Sequence, residues 1–156
     1  MNKEHLDPIL DLAIQEDIGD GDHSSLACIP SRKKGKSRLL IKEPGILAGV
    51  EIAQQIFHKI DDRLKTEIFI EDGQAVEKGE IAFHVEGRVQ SILRAERLVL
   101  NVMQRMSGIA TQTRRYVEKL EGLPTRVLDT RKTTPGLRLL EKKAVELGGE
   151  IGRAHV

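Results

Sequence analysis

Residues 127–138, which read VLDTRKTTPGLR, carry the side chains best suited to bind a ligand. The stretch opens with an apolar Val-Leu pair, which predicts a short buried strand. Thr130, Arg131 and Lys132 follow after a single aspartate. An arginine binds a planar anion through two parallel hydrogen bonds, and a lysine acts as a point charge. The stretch therefore indicates a carboxylate or phosphate site, and a solvated basic turn is the alternative that the pattern leaves open.

The residues that follow predict a helix. Thr133 or Thr134 could cap its N-terminus, Pro135 suits its first turn, and Gly148-Gly149 would end it. One apolar face is predicted at Leu137, Leu140, Ala144 and Leu147. Parallel α/β folds bind ligands where a strand ends, and a helix start favours anions. The sequence thus places both cations at a position typical of anion sites.

A longer helical pattern precedes this region. Its apolar residues recur at spacings of three and four, which is typical of a buried helix face: Ile92, Ala95, Val99, Val102, Met106 and Ile109. Arg97 lies off this face. Ser107-Gly108 predicts an interruption, after which a second helical run continues to Gly122. We place the domain boundary there, which gives an N-terminal domain over 1–107 and the first part of a second domain over 108–149.

The first ninety residues predict an α+β domain with an antiparallel sheet. Asp7-Pro8 is a good helix start, and the face of residues 50–60 is typical of a second helix. Short apolar runs separated by turn residues predict strands near 39–41, 46–48, 68–70 and 81–85. The acidic loop between positions 16 and 22 lacks the spacing of a calcium loop, so a structural role is predicted for it.

Composition argues against several classes of function. The 156 residues carry a net charge of +1 and 3% aromatic residues, which is not typical of a nucleic-acid-binding protein. The basic run of residues 32–38 is predicted to be a solvated approach to a strand. No stretch resembles a signal peptide or a membrane span, so we expect a cytoplasmic protein that does not bind membranes. Cys28, the single cysteine, is predicted to be a small buried residue, and the five histidines lack metal-ligand spacing.

Three separated segments resemble the quinolinate phosphoribosyltransferase family, also called the carboxylating nicotinate-nucleotide pyrophosphorylases. They are AIQEDIGDGDHSS, AERLVLNVMQRMSGIATQT and LDTRKTTPGLRLLEKKAVELGG. They occur in the family's order, and the resemblance covers nearly the whole chain. It implies an α+β N-terminal open-faced sandwich domain followed by the start of an incomplete parallel α/β (TIM-like) barrel.

The resemblance also implies a reaction. Enzymes of this family transfer a phosphoribosyl group from phosphoribosyl pyrophosphate to quinolinate, releasing pyrophosphate and carbon dioxide and giving nicotinate mononucleotide for NAD synthesis. By resemblance, Arg131 and Lys132 bind substrate carboxylates or adjoining phosphates, and Thr130 offers further hydrogen bonds. Arg138 and Lys142 are weaker candidates for anion contacts. No residue is assigned as an acid or base, because the pyridine nitrogen attacks with its own lone pair.

Two further expectations follow from the resemblance. Arg97 matches an arginine that in this family reaches the quinolinate pocket of a neighbouring subunit, which implies a homodimer with shared active sites, and possibly a higher oligomer. Taken alone, the position would instead suggest a helix-surface salt bridge. Mg²⁺ is expected to bind with phosphoribosyl pyrophosphate and to be held by protein residues beyond this chain, with no metal site within it.

The C-terminal end departs from the family pattern. Members continue after the glycines with an Asn-His-Arg segment and further strands, which this sequence lacks. The last six residues, IGRAHV, match the translation of a sequencing adapter, so we expect residues 150–156 to be a non-native tail. A lone strand and helix cannot close a barrel core, so the chain is expected to be inactive by itself.

Other functions remain open at this point. A pyrophosphorylase-like relative found in molybdenum-uptake operons would share the fold and the DTRKTTPGLR stretch. A non-catalytic remnant that dimerises through its long helix is a second alternative. Binding of nucleic acid through residues 32–38 is the third.

Overall fold

The structure of the protein is a computed structural model that describes residues 3–149, so the tail predicted at 150–156 lies outside the described residues. The helices are α1 (Lys3–Ile18), α2 (His23–Cys28), α3 (Val50–Ile60), α4 (Val89–Lys119) and α5 (Arg138–Leu147). The strands are β1 (Lys34–Leu40), β2 (Gly45–Ile46), β3 (Lys65–Ile68), β4 (Ala75–Val76) and β5 (Ile81–Arg88). Helices and antiparallel strands share the first ninety residues, as the sequence predicts.

The main sheet has three antiparallel strands in the order β1-β5-β3, with β5 in the centre. Phe83 and Val85 of β5 are buried, whereas Glu86 between the sheet neighbours Lys36 and Lys65 is exposed. Because alternate side chains of a strand point to opposite faces, one face of the sheet joins the core and the other stays open. This arrangement is an open-faced sandwich.

A second, two-stranded sheet pairs β2 with β4 and packs against α4. The predicted strand over 46–48 is shorter than expected and ends at Ile46, although Leu47 still bonds to the backbone of Gln74 and Gly73. On its other side, the segment bonds to side chains of the helix. Ser107 Oγ accepts a bond from Ala48 N at 3.0 Å, and Thr111 Oγ1 accepts one from Ile46 N at 2.9 Å. Hydroxyl groups of α4 thus replace a partner strand here.

Helix α3 begins where it was predicted, at Val50, and its N-terminus is capped from a distance. The carboxylate of Asp72 accepts hydrogen bonds from Val50 N at 2.9 Å and Glu51 N at 3.1 Å. Gly49, the residue before the helix, has φ +101. A Cβ atom added to it would lie 3.2 Å from Met103 Cα. Only glycine suits this combination of backbone angle and close approach.

Replacing Asp72 by alanine is expected to lower the free energy of unfolding by about 1–2 kcal/mol, because two backbone N–H groups of α3 lose their acceptor. Urea denaturation of the 156-residue chain measures the change. Asp62→Ala, at an exposed acidic position, is the matched control and should change stability by less than about 0.5 kcal/mol. Equal effects of the two substitutions would contradict the capping role.

Helix α4 is continuous over 31 residues, so the interruption predicted at Ser107-Gly108 is wrong. Ser107 Oγ bonds to the neighbouring β2 segment instead of ending the helix. A helix accommodates one exposed glycine at a cost of about 1 kcal/mol, which packing along the rest of α4 offsets. The predicted stripe is confirmed at Ile92, Ala95, Val99 and Met106, which are buried, whereas Val102 and Ile109 are half-buried. Met103 and Ala110, which were not predicted, complete the buried face.

Two predictions for the N-terminal region are wrong. Helix α1 runs from Lys3 and includes Pro8, so the proline lies inside the helix and not in its first turn. Proline cannot donate a backbone hydrogen bond, so one bond of the helix is missing at Pro8. Burial of Leu6 and Leu10, each 1% exposed, offsets this loss. Cys28 is exposed, because it ends the six-residue helix α2 on the side away from the core.

A buried carboxylate joins the turn after α3 to the start of α4. Asp61 is 7% exposed and accepts bonds from Ser91 Oγ at 2.7 Å and from Arg63 Nε at 2.8 Å. The hydrogen bonds from Arg63 lower the pKa of Asp61 from 3.8 to about 2, with a smaller contribution from Ser91, while burial opposes the shift. The ionised form of Asp61 is therefore favoured by folding.

The Asp61 pKa predicts a specific acid sensitivity. Because the folded pKa lies below the unfolded value, this group stabilises the fold above pH 4 and loses that contribution as pH falls toward 2. Between these values, unfolding of the unmodified chain takes up about one proton at Asp61, and unfolding of Asp61→Asn should take up about one fewer, so its stability should fall less steeply as pH decreases. Denaturant titrations at several pH values measure this slope, and an unchanged acid limb in Asp61→Asn would contradict the assignment.

Candidate anion-binding site

The segment between α4 and α5 carries the predicted ligand residues without forming a strand. Residues 125–130 have no regular secondary structure, and Leu128 is 65% exposed, so the strand predicted at Val127-Leu128 is wrong for this chain. A parallel strand requires neighbouring strands for its backbone groups. The two short sheets formed within residues 3–149 lie elsewhere and offer none.

Helix α5 begins three residues later than predicted. Pro135, Gly136 and Leu137 form a turn in which Leu137 N donates to Thr134 O at 3.0 Å, and Gly136 has φ +80. Glycine adopts this left-handed conformation without strain, and it directs the chain into the helix at Arg138. The predicted apolar face is confirmed, since Leu140 and Ala144 are buried against α4 and Leu137 and Leu147 are half-buried.

A buried glutamate fixes the segment to both helices. Glu141 Oε1 accepts a bond from Arg105 Nε of α4 at 2.9 Å, and Oε2 accepts one from Thr134 N at 3.1 Å. Arg105 also donates to Thr134 Oγ1. Burial by itself would raise the pKa of Glu141, but the hydrogen bonds from Arg105 and Thr134 outweigh it and lower the pKa. An ionised Glu141 therefore holds the end of the segment in place.

Two further cations of α5 bind the segment from the other side. Lys142 pairs with Asp129 and donates to Thr130 O at 2.8 Å. Arg138 donates to Thr133 Oγ1 at 3.0 Å and to Arg131 O at 3.2 Å. Both side chains, which were predicted as weaker candidates for anion contacts, contact the protein's own backbone and side chains here. These bonds indicate that Arg138 and Lys142 position the segment.

The three main candidates lie together on the surface of this segment. Thr130, Arg131 and Lys132 are exposed, and Thr130 Oγ1 accepts a bond from Lys132 N at 3.0 Å. That bond closes a tight local turn, which brings the two cationic side chains onto consecutive positions of a backbone anchored at both ends. The arrangement can present two positive charges and a hydroxyl to an oxyanion.

Arg97 lies on another part of α4. Its Nη1 is 3.0 Å from Asp17 Oδ1 of α1, and its side chain is 73% exposed. Arg105, which contacts the anchored segment, follows eight residues later, or about 12 Å along the helix axis. Within one chain, then, Arg97 forms the helix-surface salt bridge that was the alternative prediction, and it stands apart from the residues that hold the 129–134 segment.

The residues that position the segment could not be predicted from the sequence. Glu141 has the spacing of an ordinary exposed helix residue, and Arg105 lies beside the apolar stripe. A buried acid at the fourth position of α5, opposite an arginine of α4, becomes recognisable only when the two helices pack. Asp129 was noted as part of the polar run, and its partner Lys142 was assigned to the ligand.

Metal clusters and membrane-spanning helices are both absent from residues 3–149. No group of three or more His, Cys, Asp or Glu side chains within this range could hold a metal ion. No helix in the same range combines the length and apolar character that crossing a bilayer requires.

Comparisons with known proteins identify the family. The profile of the quinolinate phosphoribosyl transferase N-terminal domain matches residues 22–107, and that of the C-terminal domain matches residues 109–155. The first match alone spans more than half of the chain. The chain belongs to the quinolinate phosphoribosyltransferase family. The two matches meet inside the continuous helix α4, and the domain boundary near 107 stays a prediction.

Curated relatives in this family are longer than the chain. The chloroplastic nicotinate-nucleotide pyrophosphorylase [carboxylating] of Oryza sativa is 47% identical over 151 residues, which cover 96% of this chain and 40% of that protein. A probable nicotinate-nucleotide pyrophosphorylase [carboxylating] of Synechocystis is 42% identical over 146 residues, which cover 94% and 49%. The chain thus spans less than half the length of these relatives.

Solved structures of the family confirm the predicted fold class. NadC from Streptococcus pyogenes matches with a TM-score of 0.94 and 36% identity, over 99% of this chain and 55% of that one. The nicotinate-nucleotide pyrophosphorylase from Francisella tularensis matches with a TM-score of 0.92 and 31% identity, over 100% and 56%. Residues 3–149 therefore form the α+β sandwich of this family together with the start of its incomplete α/β barrel.

Proposed function

We propose that this chain is part of a quinolinate phosphoribosyltransferase that forms nicotinate mononucleotide, pyrophosphate and carbon dioxide from quinolinate and phosphoribosyl pyrophosphate. We use the term full-length parent for a protein in which this chain is followed by the rest of the family's barrel. The observation that carries the proposal is the anchored segment 130–132, which presents Arg131 and Lys132 beside each other. Quinolinate is a planar dianion, and these are the side chains that bind such anions.

The chemistry asks the protein mainly for positioning and charge. Arg131 would bind a carboxylate through its two-pronged guanidinium, and Lys132 and Thr130 would contact a second carboxylate or an adjoining phosphate. Fixed charges hold the pyridine nitrogen, which attacks with its own lone pair, against the ribose carbon. Glu141, Arg105, Arg138 and Lys142 would act as positioning residues, because their bonds are made to the segment itself.

Mg²⁺ is proposed to enter with phosphoribosyl pyrophosphate and to supply charge stabilisation to the departing pyrophosphate. The residues within 3–149 do not include a cluster that fits this ion. Protein ligands for the ion would have to come from the remainder of the parent, and no step is assigned to a metal within this chain.

We also propose that the active parent is a homodimer in which Arg97 completes the partner's site. The support is its exposure at 73% and its separation along α4 from the residues that anchor segment 129–134. Asp17, whose side chain is 18% exposed, would hold the guanidinium in an extended position ready for the neighbour. A cytoplasmic location remains our prediction, and several plant relatives are chloroplastic or mitochondrial.

Mixing two inactive variants tests the shared site. Parents carrying Arg97→Ala or Arg131→Ala should each have little activity, because each lacks one half of every site. After the two are denatured and refolded together, about half of the dimers are mixed, and one of the two sites in each mixed dimer is intact. About a quarter of the unmodified activity is therefore expected to return. No recovery in refolded mixtures that contain mixed dimers would contradict the shared site.

Quinolinate binding separates the proposed enzyme from a molybdenum-operon relative of the same fold. Calorimetry on the full-length parent should show saturable binding of quinolinate, and weaker binding of nicotinate, which lacks one carboxylate. Arg131→Gln should weaken quinolinate binding, whereas Arg126→Gln, at an exposed arginine five residues earlier, should leave it unchanged. A parent that does not bind quinolinate would exclude the proposed substrate.

A further inference from the structure

We propose that a cavity between the turn after α3 and the start of α4 binds a small phosphate-bearing anion. The cavity has a volume of about 470 Å³, within the range of small-molecule sites. It shares no residue with segment 129–134. Its lining is polar and includes four side chains with a permanent positive charge, Lys59, Arg63, Arg88 and Arg94.

An unpaired nitrogen of Arg94 is the main evidence that the cavity binds a ligand. Its Nε lies buried without a hydrogen-bond partner among residues 3–149, although the side chain lines the cavity. An unsatisfied buried donor is costly, and more so when it is charged, so native proteins rarely leave one unpaired. Because this atom is almost fully covered, an oxyanion in the cavity would accept the bond once the Arg94 side chain turns towards it.

The neighbouring groups determine which cations can still bind a ligand. Arg63 is engaged with Asp61, and Lys59 pairs with Asp11 at 2.8 Å and with Asp7 at 3.2 Å. Within residues 3–149, the Arg88 side chain donates through its Nε to Ser31 O at 3.2 Å. The guanidinium groups of Arg88 and Arg94 therefore retain donors that can face an anion in the cavity.

The start of α4 adds to the attraction. Arg88 is the N-cap residue, and no side chain caps the helix N-terminus there. Ser91 and Arg94 follow at intervals of three, which places all three on one side of the first two turns. The positive end of the helix dipole favours an anion at this end. Two carboxylates also line the cavity: Asp61 is already neutralised and bonded by Arg63 and Ser91, and Asp62 is exposed, so water screens its charge.

The donor arrangement favours phosphate over carboxylate. A carboxylate offers two oxygens in one plane, which one arginine fork can bind, whereas a tetrahedral phosphate presents oxygens in several directions and can accept from two arginines. Arg88 is the N-cap residue and Arg94 lies six residues further along, so the two arginines line the cavity from different positions along the helix. The cavity is also larger than one phosphate needs, so a phosphorylated small molecule is the ligand class it fits.

Titration of the 156-residue chain with inorganic phosphate, followed by backbone NMR at constant ionic strength, tests the proposal. Saturable shifts confined to residues 58–63 and 88–94 are expected. Arg94→Gln should weaken the phosphate affinity at least about tenfold through loss of a charge-assisted hydrogen bond. Arg115→Gln, at an exposed arginine of the same helix, is the matched control and should bind phosphate as the unmodified chain does.

Several results would overturn the proposal. They are shifts that do not saturate, shifts located elsewhere, or equal phosphate affinity in Arg94→Gln and the control. If Arg94→Gln does not fold, Arg88→Gln provides the same comparison. A carboxylate of a second copy of the chain could also supply the oxyanion, and light scattering on the same samples tests for such a dimer. A change in mass upon Arg94 substitution, without phosphate binding, would assign the cavity to a carboxylate of a second copy and reject the small-anion site.

Discussion

Replacing Arg131 by glutamine in the full-length parent is expected to lower kcat/KM for quinolinate roughly 100-fold. A guanidinium bound to a carboxylate makes two charge-assisted hydrogen bonds, each contributing about 1.5–3 kcal/mol, and about 1.4 kcal/mol corresponds to a factor of ten. Glutamine offers one neutral donor group in place of the fork. Initial rates at low quinolinate concentration measure the ratio directly.

Two matched substitutions define what the Arg131 result means. Arg131→Lys keeps the charge but loses the two-pronged geometry, so a smaller loss of about tenfold is expected. Arg126→Gln removes an exposed positive charge nearby and should change kcat/KM by less than twofold. If Arg126→Gln and Arg131→Gln were equally impaired, the effect would come from general electrostatics, and the assignment of Arg131 to the carboxylate would be wrong.

Replacing Gly148 by alanine is expected to lower the free energy of unfolding by about 1–3 kcal/mol, the usual cost of overpacking. The backbone angle is not the reason, because φ of −71 is open to any residue. The reason is the close approach of α5 to α4. An added Cβ would lie 2.5 Å from Ala110 O and 2.6 Å from Thr113 Cβ. Urea denaturation of the chain measures the loss.

Gly108 is the matched control, because it lies in α4 with no atom within 4 Å of the position of an added Cβ. Gly108→Ala should raise the free energy of unfolding by about 0.5–1 kcal/mol, since alanine is the better helix former in a continuous helix. Opposite signs at these two glycines are the expected outcome. A destabilising Gly108→Ala would instead support an interruption of α4 at this position.

Local patterns in the sequence were sufficient for most of the α+β domain. The spacing of apolar residues located α3 and the buried face of α4, and short apolar runs between turn residues located β5 and the C-terminal ends of β1 and β3. These features depend on the spacing of apolar and turn residues, which can be read directly from the sequence. The short strand β4 was missed, because two residues carry no periodic signal.

The errors arose where a tertiary contact outweighs a local preference. Ser107 and Gly108 look like a helix break, but Ser107 bonds to Ala48 and the helix continues. The pair Val127-Leu128 looks like a strand, but the strands it would need are not among residues 3–149. Both cases show a local signal whose outcome depends on what the segment packs against.

The candidate site was predicted in part for the same reason. Thr130, Arg131 and Lys132 could be selected because they lie between a predicted strand and a predicted helix N-terminus, within a segment that resembles the family. Glu141 and Arg105 could not, because their pairing depends on how α5 crosses α4. Whether the selected residues bind substrate remains a proposal, for which the anchored geometry of the segment is the support.

The most direct test is the release of carbon dioxide from carboxyl-labelled quinolinate by the full-length parent. We expect release that requires phosphoribosyl pyrophosphate and Mg²⁺, is matched by one pyrophosphate for each carbon dioxide, and is strongly reduced in Arg131→Gln. The 156-residue chain assayed in parallel is expected to give none, because it spans less than half the length of its curated relatives. A folded parent that releases no carbon dioxide under these conditions would contradict the proposed function.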